Sequence, residues 1–260
     1  MLNAALIGAL AQSSLILGAI LVWRFRSLTR PREVGALMAF GAGAVISAVT
    51  TDLVAVSYDE AGAGPTALGI AVGCLGYAAI IGFLERRGVS EEPGEVVLEV
   101  AEAAAHGKQA AATPAEARNI TIGMLIDGIP ESIALGLTLH MAVAGVSFAL
   151  VGSIFVATLP EAIGVAAALL AGGFTLSRII LRFSLIVVVA AVFAALGYGV
   201  LLGAPLALIA LIQSVAAGAL LVVVVNEMIP IAIRGVGRRA GLLAAGGFVF
   251  SALLTWIPGG

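Results

Sequence analysis

The chain has 260 residues, of which 61% are hydrophobic and 11% are charged, and its mean hydropathy is +1.16. Soluble domains carry about 25% charged residues, so the composition excludes an ordinary soluble fold and predicts a protein surrounded by the lipid bilayer. The net charge of −2 gives no reason to expect a nucleic-acid partner.

Eight stretches are long and apolar enough to cross a bilayer, which takes about 20 residues in a helix. The chain has none of the alternation of a transmembrane β-strand. The sequence therefore predicts an all-α integral membrane protein with one domain over residues 1–260, a bundle of eight transmembrane helices. The predicted spans cover about residues 3–23, 34–57, 66–84, 119–139, 143–171, 183–203, 206–231 and 240–257.

The basic residues predict the orientation of the chain. All 13 lysine and arginine residues fall in the connections after predicted spans 1, 3, 5 and 7, or at their edges. With eight spans these connections share one side, and their positive charge marks it as cytoplasmic. Both termini are then extracytoplasmic, in a plasma membrane of prokaryotic type. The longest connection, about residues 85–118, is expected to be a cytosolic loop between helices 3 and 4.

Five acidic residues lie inside the predicted spans. A carboxylate in the hydrocarbon region is costly and usually marks a transport pathway. Asp127 and Glu131 are four residues apart and share one helix face. Because two like charges repel there, either a cation lies between the two carboxylates or one of them holds a proton. A protonated acid bonded to a neighbouring helix explains one such residue better than it explains all five. The five are Asp52, Asp127, Glu131, Glu161 and Glu227.

Two of these acids, Glu131 and Glu161, each follow a proline in the matching strings IPESIAL and LPEAIGV. Proline removes the helical hydrogen bond to the carbonyl four residues earlier, here that of Ile126 or Val156. A freed carbonyl in lipid needs a partner, and a bound cation would be one. The paired strings therefore predict a cation site in the middle of the membrane.

Asp52 and Glu227 are expected on either side of that central site. Asp52 is expected near the outer end of span 2 and Glu227 near the inner end of span 7. This order predicts entry past Asp52 and exit past Glu227. Spans 2 and 7 would then be related by inversion through the membrane plane, as in the inverted repeats of many transporters.

These features resemble the ZIP family of divalent metal transporters, which has eight helices, a cytosolic loop between helices 3 and 4, and Pro-Glu motifs in helices 4 and 5. The resemblance implies import of a divalent cation of the zinc, manganese or iron class by alternating access. The cation is substrate, and no cofactor is expected. The implied metal-binding residues are Asp127, which stands where the family usually has histidine, Glu131 and Glu161.

The motifs depart from the family pattern at several positions. Gly128 stands in place of asparagine and Ser132 in place of glycine, while Ala157 and Thr158 stand where polar or acidic ligands are usual. A single site made of oxygen donors follows from these departures. Besides Asp52 and Glu227, the expected pathway residues are Thr158 and Asn226.

Three other functions remain open for the same acids. One is a proton or sodium carrier, or an organic-cation carrier, and another is a non-transporting relative. The third, a membrane lipid pyrophosphatase, would need a cluster of serine, arginine and glycine around its glutamates. No such cluster follows Glu131 or Glu161, so we expect no enzyme activity. The apolar helices leave surface for a homodimer.

Overall fold

The structure is a computed structural model that describes residues 1–25, 28, 30–87, 99, 102–103, 106, 112–141, 148–199 and 205–255, without the side chains of residues 85, 126, 127, 140, 141, 148, 149 and 255. Of this described part 93% is helical, and none of it forms strands. The expected all-α class is therefore confirmed.

The first half of the chain has a break within its first span and a π-helical segment within its second. The helices are α1 (Leu2–Gln12), α2 (Ser14–Arg24), α3 (Pro31–Ala48), the π-helical segment π1 (Val49–Ala55), α4 (Val56–Ala61) and α5 (Ala63–Arg86).

The second half has another π-helical segment and a short 3₁₀ turn. Its helices are α6 (Pro114–Met141), α7 (Phe148–Ala171), α8 (Leu176–Gly199), α9 (Leu206–Val223), the π-helical segment π2 (Val224–Met228), α10 (Ile229–Val236), the 3₁₀ turn Gly237–Arg239 and α11 (Ala240–Thr255).

Seven helical stretches among the described residues are long and apolar enough to cross a membrane. The last of them, Leu206–Leu254, has 49 residues and covers the predicted span 7 and most of the predicted span 8. It is interrupted at Gly237, whose φ of 60° lies in the left-handed region that glycine adopts without strain. A helical protein able to cross the membrane is thus confirmed, whereas eight crossings remain a prediction.

The predicted start of span 6, about residue 183, was wrong. Helix α8 begins at Leu176, so Arg178 and Arg182 lie on the helix and not in a connection. The Arg182 guanidinium donates a hydrogen bond to the carbonyl oxygen of Ala117 at 3.1 Å. Because a long arginine side chain can bury its stem while its charge finds a partner, it does not have to end an apolar helix.

The ends of the connection predicted at about residues 85–118 fall within flanking helices. Helix α5 ends at Arg86 and α6 begins at Pro114. A capping box starts α6, because the Thr113 amide donates to Glu116 Oε2 at 2.6 Å and the Glu116 amide donates to Thr113 Oγ1 at 3.3 Å.

The connections that carry the basic residues meet at one end of the bundle. From the long connection, Glu102 forms an ion pair with Arg234 at 3.9 Å. The Ala112 amide of the same connection donates to the Ala168 carbonyl at 3.0 Å, next to Gly172. The predicted third, fifth and seventh connections therefore share one end, as the charge pattern requires.

The helices pack as two groups. The first group comprises α1, α2, α6, α7 and α8, with α1 packed on α8. The apolar core of this group, which we call the Phe183 cluster, is formed largely by α2, α6, α7 and α8, with Leu15, Met124 and Ile163 among its members. The second group comprises α3 to α5 and α9 to α11. Its core, the Met38 cluster, includes Leu53 and is formed largely by α3, π1, α9, π2 and α10.

The two groups touch through small side chains. A Cβ atom added at Gly41 of α3 would lie 2.9 Å from the Cα atom of Ala157 on α7. Ala134 and Ala157, from the first group, complete the Met38 cluster of the second. At these positions the backbones of the two groups therefore lie close together, and few large side chains interdigitate between them.

Candidate functional site

Helix α6 carries the first Pro-Glu pair and continues through Pro130. Glu131 is half-buried. The Ser132 hydroxyl donates its proton to the Gly128 carbonyl of the same helix at 2.6 Å. Its oxygen lone pairs can still accept a hydrogen bond or coordinate a cation. The backbone of Asp127 belongs to the same helix, four residues before Glu131, but its side chain lies outside the described residues.

Glu131 has a neighbour that the sequence analysis missed. The side-chain amide of Gln12, at the end of α1, donates a hydrogen bond from Nε2 to Glu131 Oε2 at 2.8 Å. Gln12 is only 3% exposed. A signal was present, because Gln12, Ser13 and Ser14 form a polar tripeptide inside an otherwise apolar span.

The second Pro-Glu pair lies on α7, which also continues through its proline, Pro160. Glu161 is half-buried, and Thr158 is 6% exposed. The Thr158 hydroxyl donates to the Ile154 carbonyl at 2.8 Å, which leaves its oxygen able to accept or coordinate.

Apolar residues enclose these polar side chains along each helix. One enclosing set, which we call the Leu135 cluster, consists of Ala11, Ala48, Leu135, Leu150, Val151 and Ile154. The other is the Phe183 cluster. On α1–α2, α6 and α7, the residues between the two clusters include Gln12, Glu131, Thr158 and Glu161, a set that we call the polar layer.

The polar layer occupies the interval between the two clusters on each of these helices. On α1–α2 it falls between Ala11 and Leu15, and on α6 between Met124 and Leu135. Each cluster brings several of these helices into contact, so the polar residues lie between two packed apolar regions. The backbone of Asp127 falls in the same interval of α6, about one turn before Glu131.

Asp52 lies in π1 and is 7% exposed. The Thr51 hydroxyl lies 3.0 Å from the Ser47 carbonyl oxygen and 3.2 Å from Asp52 Oδ1, and its single proton is shared between these two acceptors. From α9, Gln213 is fully buried and donates from Nε2 to the Asp52 backbone carbonyl at 3.3 Å. A π-helical turn changes the normal backbone hydrogen-bond ladder and often occurs at functional sites, and here an amide from another helix bonds to one of its carbonyls.

Glu227 lies in π2 and is 5% exposed. It lines a cavity of about 170 Å³ between α5 and π2. Asn226 is exposed and also lines this cavity, whereas the neighbouring Met228 packs towards Gly41. Glu227 therefore faces the second helix group. The remaining lining residues are Tyr77, Ala78, Ile81, Gly82 and Val222.

The described members of the polar layer offer carboxylate, amide and hydroxyl oxygens. Such donors suit hard divalent cations such as Mn²⁺, and zinc also accepts carboxylates. Among the side chains that the structure describes, no three histidine, cysteine, aspartate or glutamate residues form a metal-binding group. The predicted set of Asp127, Glu131 and Glu161 extends beyond those side chains and stays a prediction.

The chain was compared with known proteins at the level of sequence. No protein-family model matches it, and neither does any curated protein that was searched. What the chain does must therefore be inferred from the polar layer and the helices that hold it.

Proposed function

We propose that the protein is a ZIP-like importer that carries a divalent metal cation across the membrane by alternating access. The observation that carries this proposal is that Glu131 and Glu161, each next to a proline, belong to one polar layer between two apolar clusters. Carboxylates at that depth are costly unless they bind a charge or a proton.

The two helix groups support alternating access as the transport mechanism. Most of the packing that stabilises each group lies inside it, around the Phe183 cluster or the Met38 cluster. The small residues between the groups, such as Gly41 and Ala157, allow one surface to move along the other with little side-chain interlocking. The cation would stay with the first group while access changes from one side to the other.

The two π-helical segments support the proposed path and the inverted relation of spans 2 and 7. Each segment holds one buried acid, Asp52 or Glu227. The two spans pass each other in opposite directions, since Gly35 contacts Gly235 and Gly41 contacts Met228. We retain from the sequence the proposals of entry past Asp52, exit past Glu227, eight crossings and extracytoplasmic termini, and the opposite directions of the two spans support the inverted relation.

The donors favour a hard or borderline divalent cation. Glu131, Glu161 and Thr158 supply oxygen ligands, which suit Mn²⁺ well and also bind Zn²⁺ and Fe²⁺. The resemblance to ZIP transporters favours zinc or iron. We therefore place Mn²⁺, Zn²⁺ and Fe²⁺ together as the substrate class.

Ion flux into liposomes tests the transport proposal. The purified protein is reconstituted, and uptake of Mn²⁺, Zn²⁺, Fe²⁺, Cd²⁺ and Mg²⁺ is measured beside protein-free liposomes. We expect uptake of at least one transition metal above that background. Flux of protons or sodium without any divalent metal would favour the carrier alternative, and no flux of any cation would favour a non-transporting relative.

A further inference from the structure

We infer that Gln12 is a positioning residue for Glu131, so that helix α1 contributes to the cation site of α6 and α7; this rests on the proposed function. The Gln12 amide donates to Glu131 Oε2 at 2.8 Å. A bond of this kind orients the carboxylate, which is the task of a residue that positions a metal ligand.

The burial of Gln12 supports a specific role for its amide. The side chain is 3% exposed inside an apolar bundle. Burying an amide costs free energy unless it is hydrogen-bonded, so a hydrophobic residue would suit this position better if packing were its only role. The amide is instead directed to a carboxylate.

The local backbone brings Gln12 to this position. Helix α1 ends at Gln12, and α2 begins two residues later at Ser14. At this break the Ser13 hydroxyl donates to the Leu10 carbonyl at 2.7 Å, and the Ile16 amide bonds to the Ser13 carbonyl at 3.1 Å. The break interrupts a span whose sequence is otherwise apolar, directly beside the polar layer.

The facing surface of α6 leaves room for the amide. A Cβ atom added at Gly128 would lie 3.6 Å from Gln12 Nε2, which is ordinary van der Waals contact. Gln12 therefore packs over the turn of α6 that runs from Gly128 to Glu131. A large side chain at position 128 would compete with the amide for this space.

The hydrogen bond joins two helices of the same group. Since α1 and α6 both belong to the first helix group, the bond can persist while that group moves against the second. A neutral donor also leaves the negative charge of Glu131 available to a cation, whereas a lysine or arginine would compensate it. A bond that persists during the movement and a donor without charge are both expected of a residue that positions a metal ligand. A residue that opens and closes the path would instead change its contacts during the movement.

The test compares metal uptake by Gln12→Leu, Gln12→His and Ser14→Ala with that of the wild type in liposomes. Leucine removes the donor at similar size, and histidine retains an N–H of similar reach. Hydrogen-bond partners of metal ligands typically contribute about 10- to 100-fold to metal affinity. We therefore expect Gln12→Leu to raise KM for the metal by a factor in that range with a smaller effect on Vmax, and Gln12→His to recover most of the loss.

Ser14→Ala is the matched control. Ser14 is buried next to the same boundary, and its hydroxyl bonds locally, to the Ala11 carbonyl three residues earlier at 3.5 Å, and not to α6. An equal KM shift in this variant, or an unchanged KM in Gln12→Leu, would overturn the role of Gln12. If Glu131→Ala abolishes uptake in that same experiment, the proposed function still holds. Absence of uptake by the wild type overturns both.

Discussion

The close contact between α5 and α9 makes a sharp prediction about stability. A Cβ atom added at Gly73 would overlap the backbone carbonyl oxygen of Val215 and lie 2.8 Å from its carbonyl carbon. Gly76, one turn along the same helix, has no atom within 4 Å of such a Cβ among the described residues. The variants Gly73→Ala and Gly76→Ala therefore add the same methyl group to opposite environments.

The expected magnitude follows from comparing the two variants. Both gain about 1 kcal/mol of helix propensity, so this contribution cancels between them. Only Gly73→Ala must push two backbones apart, and overpacking of this kind costs about 1–3 kcal/mol. Its free energy of unfolding should fall below that of Gly76→Ala by this amount.

Thermal unfolding followed by circular dichroism in detergent micelles measures the difference. At about 2–4 °C per kcal/mol for chains of roughly this length, Gly73→Ala should melt about 2–12 °C below Gly76→Ala. Equal melting temperatures would contradict the described packing of α5 on α9. So would a larger loss in Gly76→Ala.

Three further predictions concern the acids and the residues that bond to them. Asp52→Asn and Glu227→Gln should each raise KM for the metal several-fold in liposome uptake. Asp59→Asn, at an exposed position, should leave KM unchanged. Unaltered kinetics in both test variants would show that these acids are not on the transport path. Gln213→Leu should lower the free energy of unfolding by about 1–3 kcal/mol, because it removes the Gln213 amide from a buried carbonyl in π1. Chemical denaturation measures this loss. The loss should be smaller for the control Ser214→Ala, whose hydroxyl bonds within α9. Initial uptake rates, measured with equal pH on both sides, should fall as the pH is lowered because protons compete with the metal for carboxylates, and rates independent of pH would contradict carboxylate ligation.

The coarse fold was predictable from the sequence because lipid imposes a simple rule. A backbone in hydrocarbon must satisfy its hydrogen bonds internally, so a long apolar stretch forms a helix. That rule does not determine where a helix begins or ends, because capping residues and long side chains determine those positions. The Thr113–Glu116 capping box starts α6 earlier than hydropathy indicated, and Arg182 lies on α8.

The π-helical segments could not have been predicted in the same way. The residues of π1 and π2 mix apolar and polar types that also occur in ordinary α-helices, and each segment is accompanied by contacts from other helices. The Gln213 amide on the Asp52 carbonyl is one such contact, and it joins residues 161 positions apart in the chain. Hydropathy contains no information about pairings at that separation.

The candidate site was predictable in part. Proline and glutamate at matching positions indicated Glu131 and Glu161 from local sequence alone. Gln12 was not found, because its partner Glu131 is 119 residues away and because a glutamine inside a span is less conspicuous than an acid. The boundary between α1 and α2 at Ser13, next to Gln12, coincides with a hydroxyl bond to the Leu10 carbonyl that hydropathy does not indicate.

Liposome uptake of the preferred cation by the two central glutamate variants tests the main proposal most directly. Glu131→Ala and Glu161→Ala are compared with the wild type and with Glu60→Ala, which alters an exposed acid at the end of α4. The proposed site predicts that both central variants lose most of the flux while Glu60→Ala retains it. Flux that is unchanged in both central variants would contradict a transport site at Glu131 and Glu161.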